Sequence, residues 1–366
     1  MLKKAILILS MLISVFILAQ ENYVISQQGF IRFRGIHQGY RSDRDSLNTI
    51  NEFSLPIEIY WPISRQSSLF VYTSHGSVNG DKLSSLSGLS DTQISWNYYL
   101  EDQNLVLNAG LSLPTGKATL TSEEFNTSLL LSQHYWNFIT PSFGQGFNLS
   151  PGVTWALPLS DAAVMGLGLA YQIRGGFIPR DDLEDVYKPG NELLVTGGVD
   201  LRIATLSTVT WDMIFSIYES DTYADTLEVY KSGNKFVTSL QYHTYFGHDQ
   251  LTLLMRYRSK SKNQYNTGTV LMTESSKTYP NQIELQGLYR HRHSPEFFMT
   301  YGLEGRVFEE LDVYAGLNLI GLTGTAEYKM AEKTLLFAQF KLFTGKYSTD
   351  VSLSGIEFGG GFTYLF

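Results

Sequence analysis

The sequence predicts an all-β fold, a single transmembrane antiparallel β-barrel of about sixteen strands, with about fourteen as the alternative count. Three observations point there. Apolar and polar residues alternate with period two along most of the 366-residue chain. The joints between alternating segments are short and long in turn, and a removable leader precedes them all.

Composition narrows the field first. Charged residues make up 17% of the chain, below the roughly one quarter of an ordinary aqueous protein, and 23 Tyr and 22 Phe accompany them. A hydrophobic content of 43% is enough to offset ordering entropy, which excludes disorder. With no Cys, a disulfide scaffold, a thiolate metal centre and an acylated lipid anchor are all excluded. The net charge of −8 argues against nucleic acid as a partner, because neutralising phosphates needs a basic face.

The chain opens on Met1-Leu2-Lys3-Lys4, then an apolar run over 5–19 broken only by Ser10 and Ser14, then Gln20-Glu21-Asn22. A basic start, a short apolar stretch and a small residue before polar sequence have the form of a cleaved export signal. Residues 1–19 are therefore expected to be a signal peptide, and 20–366 a single barrel domain. The leader is shorter than the ~20 residues of a helical span. The longest later run of small or apolar residues, 162–170, is shorter still and rich in glycine. A membrane form of this chain must then be a closed barrel, the structure that satisfies every backbone group without helices.

The alternation is explicit. Leu105, Leu107, Leu111 and Leu113 oppose Asn108 and Ser112, and Met165, Leu167, Leu169 and Ile173 oppose Gly166, Gly168 and Gln172. Val209, Trp211, Met213, Phe215 and Ile217 oppose Thr208, Thr210, Asp212 and Ser216. In order, strands are expected over 28–40, 49–61, 67–78, 92–100, 104–113, 145–157, 162–175 and 191–203, then 207–218, 233–246, 250–260, 279–291, 296–306, 311–328, 334–344 and 354–366. That number is even, and both termini fall at the end with short joints, as closure requires.

Short joints lie at 63–66, 101–104, 159–162, 204–206, 247–250, 294–296 and 330–333. Between them come longer polar stretches at 79–91, 114–143, 177–190, 219–232, 261–278 and 345–351. One barrel end thus carries tight turns and the other carries loops. The longest loop, 114–143, is a candidate constriction. Its stretch 125–136 reads equally as an amphipathic helix folded inward or as a surface loop. Trp61, Trp96, Trp155 and Trp211 all fall on the apolar parity, where a headgroup-level aromatic ring would sit.

The chain ends Phe362-Thr363-Tyr364-Leu365-Phe366, with Phe362, Tyr364 and Phe366 on one face. This resembles the terminal-strand signal of bacterial outer-membrane proteins, which the barrel-assembly machinery receives by edge pairing. The resemblance implies a Gram-negative outer membrane, with its lipid and that machinery as partners. Upstream, Gly88-Leu89-Ser90-Asp91 and Leu113-Pro114-Thr115-Gly116-Lys117 resemble putative outer-membrane transporters of the phenol-degradation-pathway group. That group is loosely related to fatty-acid and aromatic-hydrocarbon channels. The likeness covers mainly 87–117, and the Asn-Pro-Ala plug signature of fatty-acid channels is missing.

Motifs with chemical meaning are few. Gly116-Lys117 is followed by Ala118 and has the wrong spacing for a phosphate loop. His291-Arg292-His293 puts two imidazoles on one strand face at its end, where solvation is a better account than a metal. The acidic run 181–185 reads as a solvated loop rather than a calcium site. No Ser, His and acid group stands in recognisable spacing, so a catalytic site, a cofactor and a metal are not expected.

The inward parity carries the information about function. Arg32, Arg34, Glu58, Glu192, Asp200, Arg202, Asp212, Arg256 and Arg258 are candidate lumen-lining residues, together with Glu284, Arg290, Glu304, Arg306, Lys341 and Glu357. A charge facing lipid at mid-membrane would cost ~2–4 kcal/mol, which turns these side chains inward. Signs are nearly balanced, so strong ion selectivity is not expected. The pattern implies a passive, porin-like channel for small solutes through a polar lumen. A non-conducting structural or partner-binding barrel is the alternative, and an outer-membrane hydrolase the second.

Overall fold

The computed structural model describes residues 28–366 except 45, 46, 134, 225, 269, 313 and 314, so the expected leader lies outside the described residues. The alternating segments pair with their sequence neighbours, because an antiparallel hairpin buries its backbone groups with the shortest connection. The first arc comprises β1 (Phe30–Arg44), β2 (Leu47–Pro62), β3 (Ser67–Gly80), the short β4 (Leu86–Leu89), β5 (Thr92–Leu100) and β6 (Leu105–Leu113). Helix α1 (Ser122–Leu131) follows, then β7 (Asn148–Ser160), β8 (Ala163–Arg174), β9 (Tyr187–Lys188), β10 (Glu192–Ala204) and β11 (Ser207–Tyr218). Next come β12 (Ser220–Tyr223), β13 (Leu227–Lys231), β14 (Lys235–Phe246), β15 (Asp249–Lys260), β16 (Gln264–Asn266) and β17 (Leu271–Thr273). The chain finishes with β18 (Gln282–Arg292), β19 (Phe297–Phe308), β20 (Leu317–Ala331), β21 (Thr334–Tyr347) and β22 (Ser352–Leu365).

Strands β1–β3, β5–β8, β10, β11, β14, β15 and β18–β22 pair in sequence order, and β22 returns to β1 from Phe30↔Leu365 to Ser42↔Leu353. The ladder has no free edge, which is the sixteen-strand closed barrel the alternation implied. β4 adds a few rungs to β3 above β5. At the loop end, β9, β12, β13, β16 and β17 make a separate five-stranded sheet from three long connections. Tight turns at the other end use left-handed residues, Asn104 at φ 52° and Gly247 at φ 64°.

Strand ends depart from the sequence reading in several places. The expected gap over 41–48 is mostly strand, with the β1–β2 ladder running on to Arg44↔Leu47. Polar residues there end the apolar signal but leave the backbone free to keep pairing. The strand expected from 311 begins at Leu317, and the one expected from 145 begins at Asn148. The inserted β4 breaks the loop expected over 79–91.

Side chains sort by parity. Leu253, Met255, Leu285, Leu303 and Leu322 are exposed on the outer surface, as are Trp61, Trp96, Trp155 and Trp211. Their neighbours in sequence face the interior, where Glu58, Glu284, Glu304 and Arg306 are buried.

Candidate functional site

The site is the barrel interior, and it is built around the longest loop. Thr121 caps α1 through a reciprocal pair of bonds with Glu124, whose carboxylate also meets Lys117. Beyond the helix, residues 135–143 cross the inside of the wall. Tyr40 Oη donates to the Trp136 carbonyl, and Gln38 Nε2 donates to the Asn137 carbonyl at 3.1 Å. Ile139 N–H returns to Gln38 Oε1 at 2.8 Å. Thr140 N–H donates to Glu52 Oε1 at 2.8 Å, while its hydroxyl lies 3.1 Å from Ser54 and 2.8 Å from Ser74. Arg306 Nη1 donates to the Tyr135 carbonyl at 3.3 Å.

Rings complete the contact. Trp136 and Phe138 meet Tyr40 edge-on at 5.1 and 5.3 Å, and Tyr135 meets Phe308 at 5.0 Å. Ile50, Val78, Leu317, Phe343 and Leu353 join the same buried cluster. The sequence left 125–136 open between helix and surface loop. The structure has the helix earlier, at Ser122–Leu131, with the aromatic stretch after it turned into the barrel.

The neck of this loop explains the Ser87–Lys117 motifs. Asp91 accepts Gly116 N–H at 3.0 Å and Gln145 N–H at 2.7 Å, tying the start of the loop to its return. A side chain at Gly116 would come within 2.0 Å of the Phe143 carbonyl, so the crossing requires glycine. Thr115 Oγ1 accepts Thr92 N–H at 2.9 Å beside it. Lys117 serves the helix start, not a phosphate.

Charges recur as one carboxylate held between two cations. Glu58 pairs with Arg32 at 3.3 Å and with Arg34. Glu284 lies 3.1 Å from Arg256 and 3.6 Å from Arg258. Glu304 lies 2.6 Å from Lys341 and 2.9 Å from Arg306. Such triads lower the electrostatic cost of inward charge by mutual pairing. Glu192 pairs with Arg174, and Arg290 with Glu327. Glu357 accepts from Gln38 at 2.8 Å and Gln339 at 2.7 Å. Asp200 accepts from Thr210 at 2.6 Å. Asp212 stands opposite Gly198 and half-buried, one pair of rungs from Asp200.

Arg202 is the outlier among the candidate residues. It keeps the inward parity but is exposed at the tight-turn rim, where it donates to the Asp161 carbonyl at 2.8 Å. Sequence reading missed Glu52, Arg174, Gln38 and Glu327. Glu52 and Arg174 share the inward parity of their strands with Glu58 and Gln172, a signal that was present. His291 Nδ1 lies 2.9 Å from Asp249 Oδ2, and its ring meets His293 at 4.4 Å, a polar contact and a ring contact at the turn end. Arg180 pairs with Asp182 in the acidic loop.

The sequence matches no protein-family model and no curated protein. Among solved structures, the barrel is similar to OprB of Pseudomonas putida at 7% identity and a TM-score of 0.52, covering 93% of this chain and 94% of that one. The likeness is one of fold. The outer membrane channel DcaP of Acinetobacter baumannii (9% identity, 92% and 97% covered, TM-score 0.45) and an anion-selective porin from Comamonas acidovorans (8%, 93% and 98%, 0.43) add nothing to it.

Proposed function

We propose that this protein is an outer-membrane channel through which small solutes pass passively. One observation carries the reading. The inward segment bonds to β1, β2, β3 and β19, while polar side chains on the opposite wall, Asp200, Asp212, Gln241 and Arg256, remain half-exposed inside the barrel. A sixteen-strand barrel encloses more space than its own side chains fill, so a one-sided segment narrows the passage without closing it. No bond is made or broken in transit. The charged wall replaces part of a solute's hydration, and a gradient supplies the direction.

In this reading the fifteen sequence-named charges divide by role. Asp200, Asp212, Arg256, Arg258 and Glu284 border the passage; Glu192, Arg290, Glu357 and Lys341 flank it. Arg32, Arg34, Glu58, Glu304 and Arg306 brace the covered wall, and Arg202 marks the turn-side mouth. Phe362 and Tyr364, exposed on the outer face of β22, and Phe366 just beyond its end are the contact for the assembly machinery before closure. We assign the phenol-pathway resemblance of Ser87–Lys117 to the loop neck, since its Asp91 and Gly116 act there on backbone, not on cargo. Purified protein in a planar bilayer tests the channel: discrete conductance steps are expected. Absence of current at every voltage would overturn it in favour of a plugged barrel, the reading that the buried aromatic cluster favours.

A further inference from the structure

On the open wall, cations gather where strands leave the barrel for the loop-end sheet. Arg174 ends β8, Lys235 opens β14, and Arg258 and Lys260 close β15. All four are half-buried on the inward parity. Lys235 and Lys260 are direct register partners in the β14–β15 ladder. Neither ammonium has an ion-pair or hydrogen-bond partner among the described residues. Arg174 and Arg258 stand close enough to repel Lys235, which in turn repels Lys260. Acids are near, but each is engaged elsewhere. Glu192 pairs with Arg174, and Asp221 accepts Gly190 N–H at 2.7 Å and the Tyr187 hydroxyl. Glu274 accepts Asn263 N–H at 2.9 Å and Thr278 Oγ1 at 2.9 Å.

We infer that Lys235 and Lys260 bind one small doubly charged oxyanion, of the sulfate or phosphate class, in the loop-side mouth of the lumen. The inference rests on the channel reading above and names a solute class for it. Like charges directly opposite on neighbouring strands destabilise a sheet. A polar wall alone does not require them: further along β14 the same parity carries neutral Ser239 and Gln241. The Cα atoms of directly paired residues lie about 5 Å apart, so two lysine stems reach a single group between them. Two ammonium charges match one dianion, whereas chloride or a monocarboxylate leaves one of them uncompensated. Arg174 gives N–H donors to Gln172 at 3.1 Å and to Glu192, and a guanidinium has five, so others remain for the same anion. Rings of Lys and Arg are how pores draw in anions.

Titration calorimetry of the full lipid-refolded barrel with sodium sulfate tests the assignment. Wild type should take up one sulfate, Lys235→Gln and Lys260→Gln should each bind it about tenfold more weakly, and the double variant should not bind it. Lys329→Gln, at the turn end of β20, should match wild type. Inorganic phosphate should bind at the same place, and sodium acetate should not. Equal affinity in all variants, or acetate held as tightly as sulfate, would overturn the proposal. In sulfate-free buffer both single variants should unfold at the same or higher urea concentration, because a repulsion is removed. Lower stability would make the lysines structural and overturn it too. Sulfate added at the loop side should interrupt the wild-type chloride current but not that of the double variant; uninterrupted wild-type current would take the anion out of the passage and defeat the assignment. A barrel that binds sulfate and passes no current at all would defeat the channel reading and leave the site intact. Conductance without sulfate binding would remove the site alone.

Discussion

On β19–β22 and β1–β3 the inward positions include Ile50, Val78, Phe343, Tyr347 and Leu353, all buried. On β10, β11, β14 and β15 the same parity carries Asp200, Asp212, Gln241 and Arg256, half-exposed. The backbone pattern is the same on both walls, so the difference comes from what faces them. Where residues 135–143 bring in a third layer, the wall has an apolar core and its charges are braced against polar backbone. Where no such layer bonds, the wall meets water. Chemistry inside a barrel is therefore set by contact with the inward loop as much as by parity.

The sharpest test sets one carboxylate triad against the other. Arg32 and Arg34 keep 6% and 7% side-chain exposure around Glu58, whereas Arg256 and Arg258 keep 15% and 26% around Glu284. Glu58→Ala strands two buried cations and should cost about 3–5 kcal/mol in urea unfolding of the lipid-refolded barrel. Glu284→Ala should cost clearly less, because water reaches its partners. Equal losses would break the two-wall distinction.

Next in size is Trp136→Ala, which removes a large ring from the covered wall. A loss of about 3–5 kcal/mol is expected in the same unfolding assay, with larger unitary conductance as the segment loosens. Asp91→Ala orphans the Gly116 and Gln145 N–H groups at roughly 1–3 kcal/mol each. Its signature is open-channel noise, since the neck holds both ends of the loop. A quiet trace at wild-type amplitude would remove the neck from the account.

Asp212→Asn should leave stability nearly unchanged and act on permeation. Losing a negative group from the open wall should move the zero-current potential in a salt gradient toward anion preference. The smallest effect belongs to the loop-end sheet, which stands apart from both walls. Partial burial alone would raise the Glu274 carboxyl, but bonds from Asn263 and Thr278 outweigh it and hold it below the usual carboxylate range. A lowered value means the anchor's contribution is present above the ordinary carboxylate range and is lost as pH falls through the lowered value. Limited proteolysis near Gln264–Asn266 should therefore accelerate in acid while conductance holds.

Most of the barrel was legible because lipid and lumen impose opposite demands on alternate residues. Trp211, Met213 and Phe215 against Asp212 and Ser216 leave no second reading. Legibility failed where that contrast vanished. Arg41, Ser42, Asp43 and Arg44 are polar on both parities, so the upper part of the first hairpin resembled the end of a strand. The route of 135–143 was hidden for a related reason: its partners, from Gln38 to Arg306, lie far away along the chain. The strands of the loop-end sheet, such as Tyr187–Lys188, are too short to display any period.

The mid-chain segment that touches β1 also touches β19, and its neighbours include Leu353 on β22. It therefore joins the earliest-made strand to the last-made ones across the closing seam. Contacts of such long sequence separation form late, since the entropy of the intervening loop is lost before they return any energy. Trp136 and Phe138 meet Tyr40 on β1, whereas the partners of Tyr135, Phe308 and Arg306, belong to β19 and come later in the chain. Zipping of β22 onto β1 and docking of the segment thus become one cooperative event. The strand that closes the barrel against β1 completes the rim and the interior together.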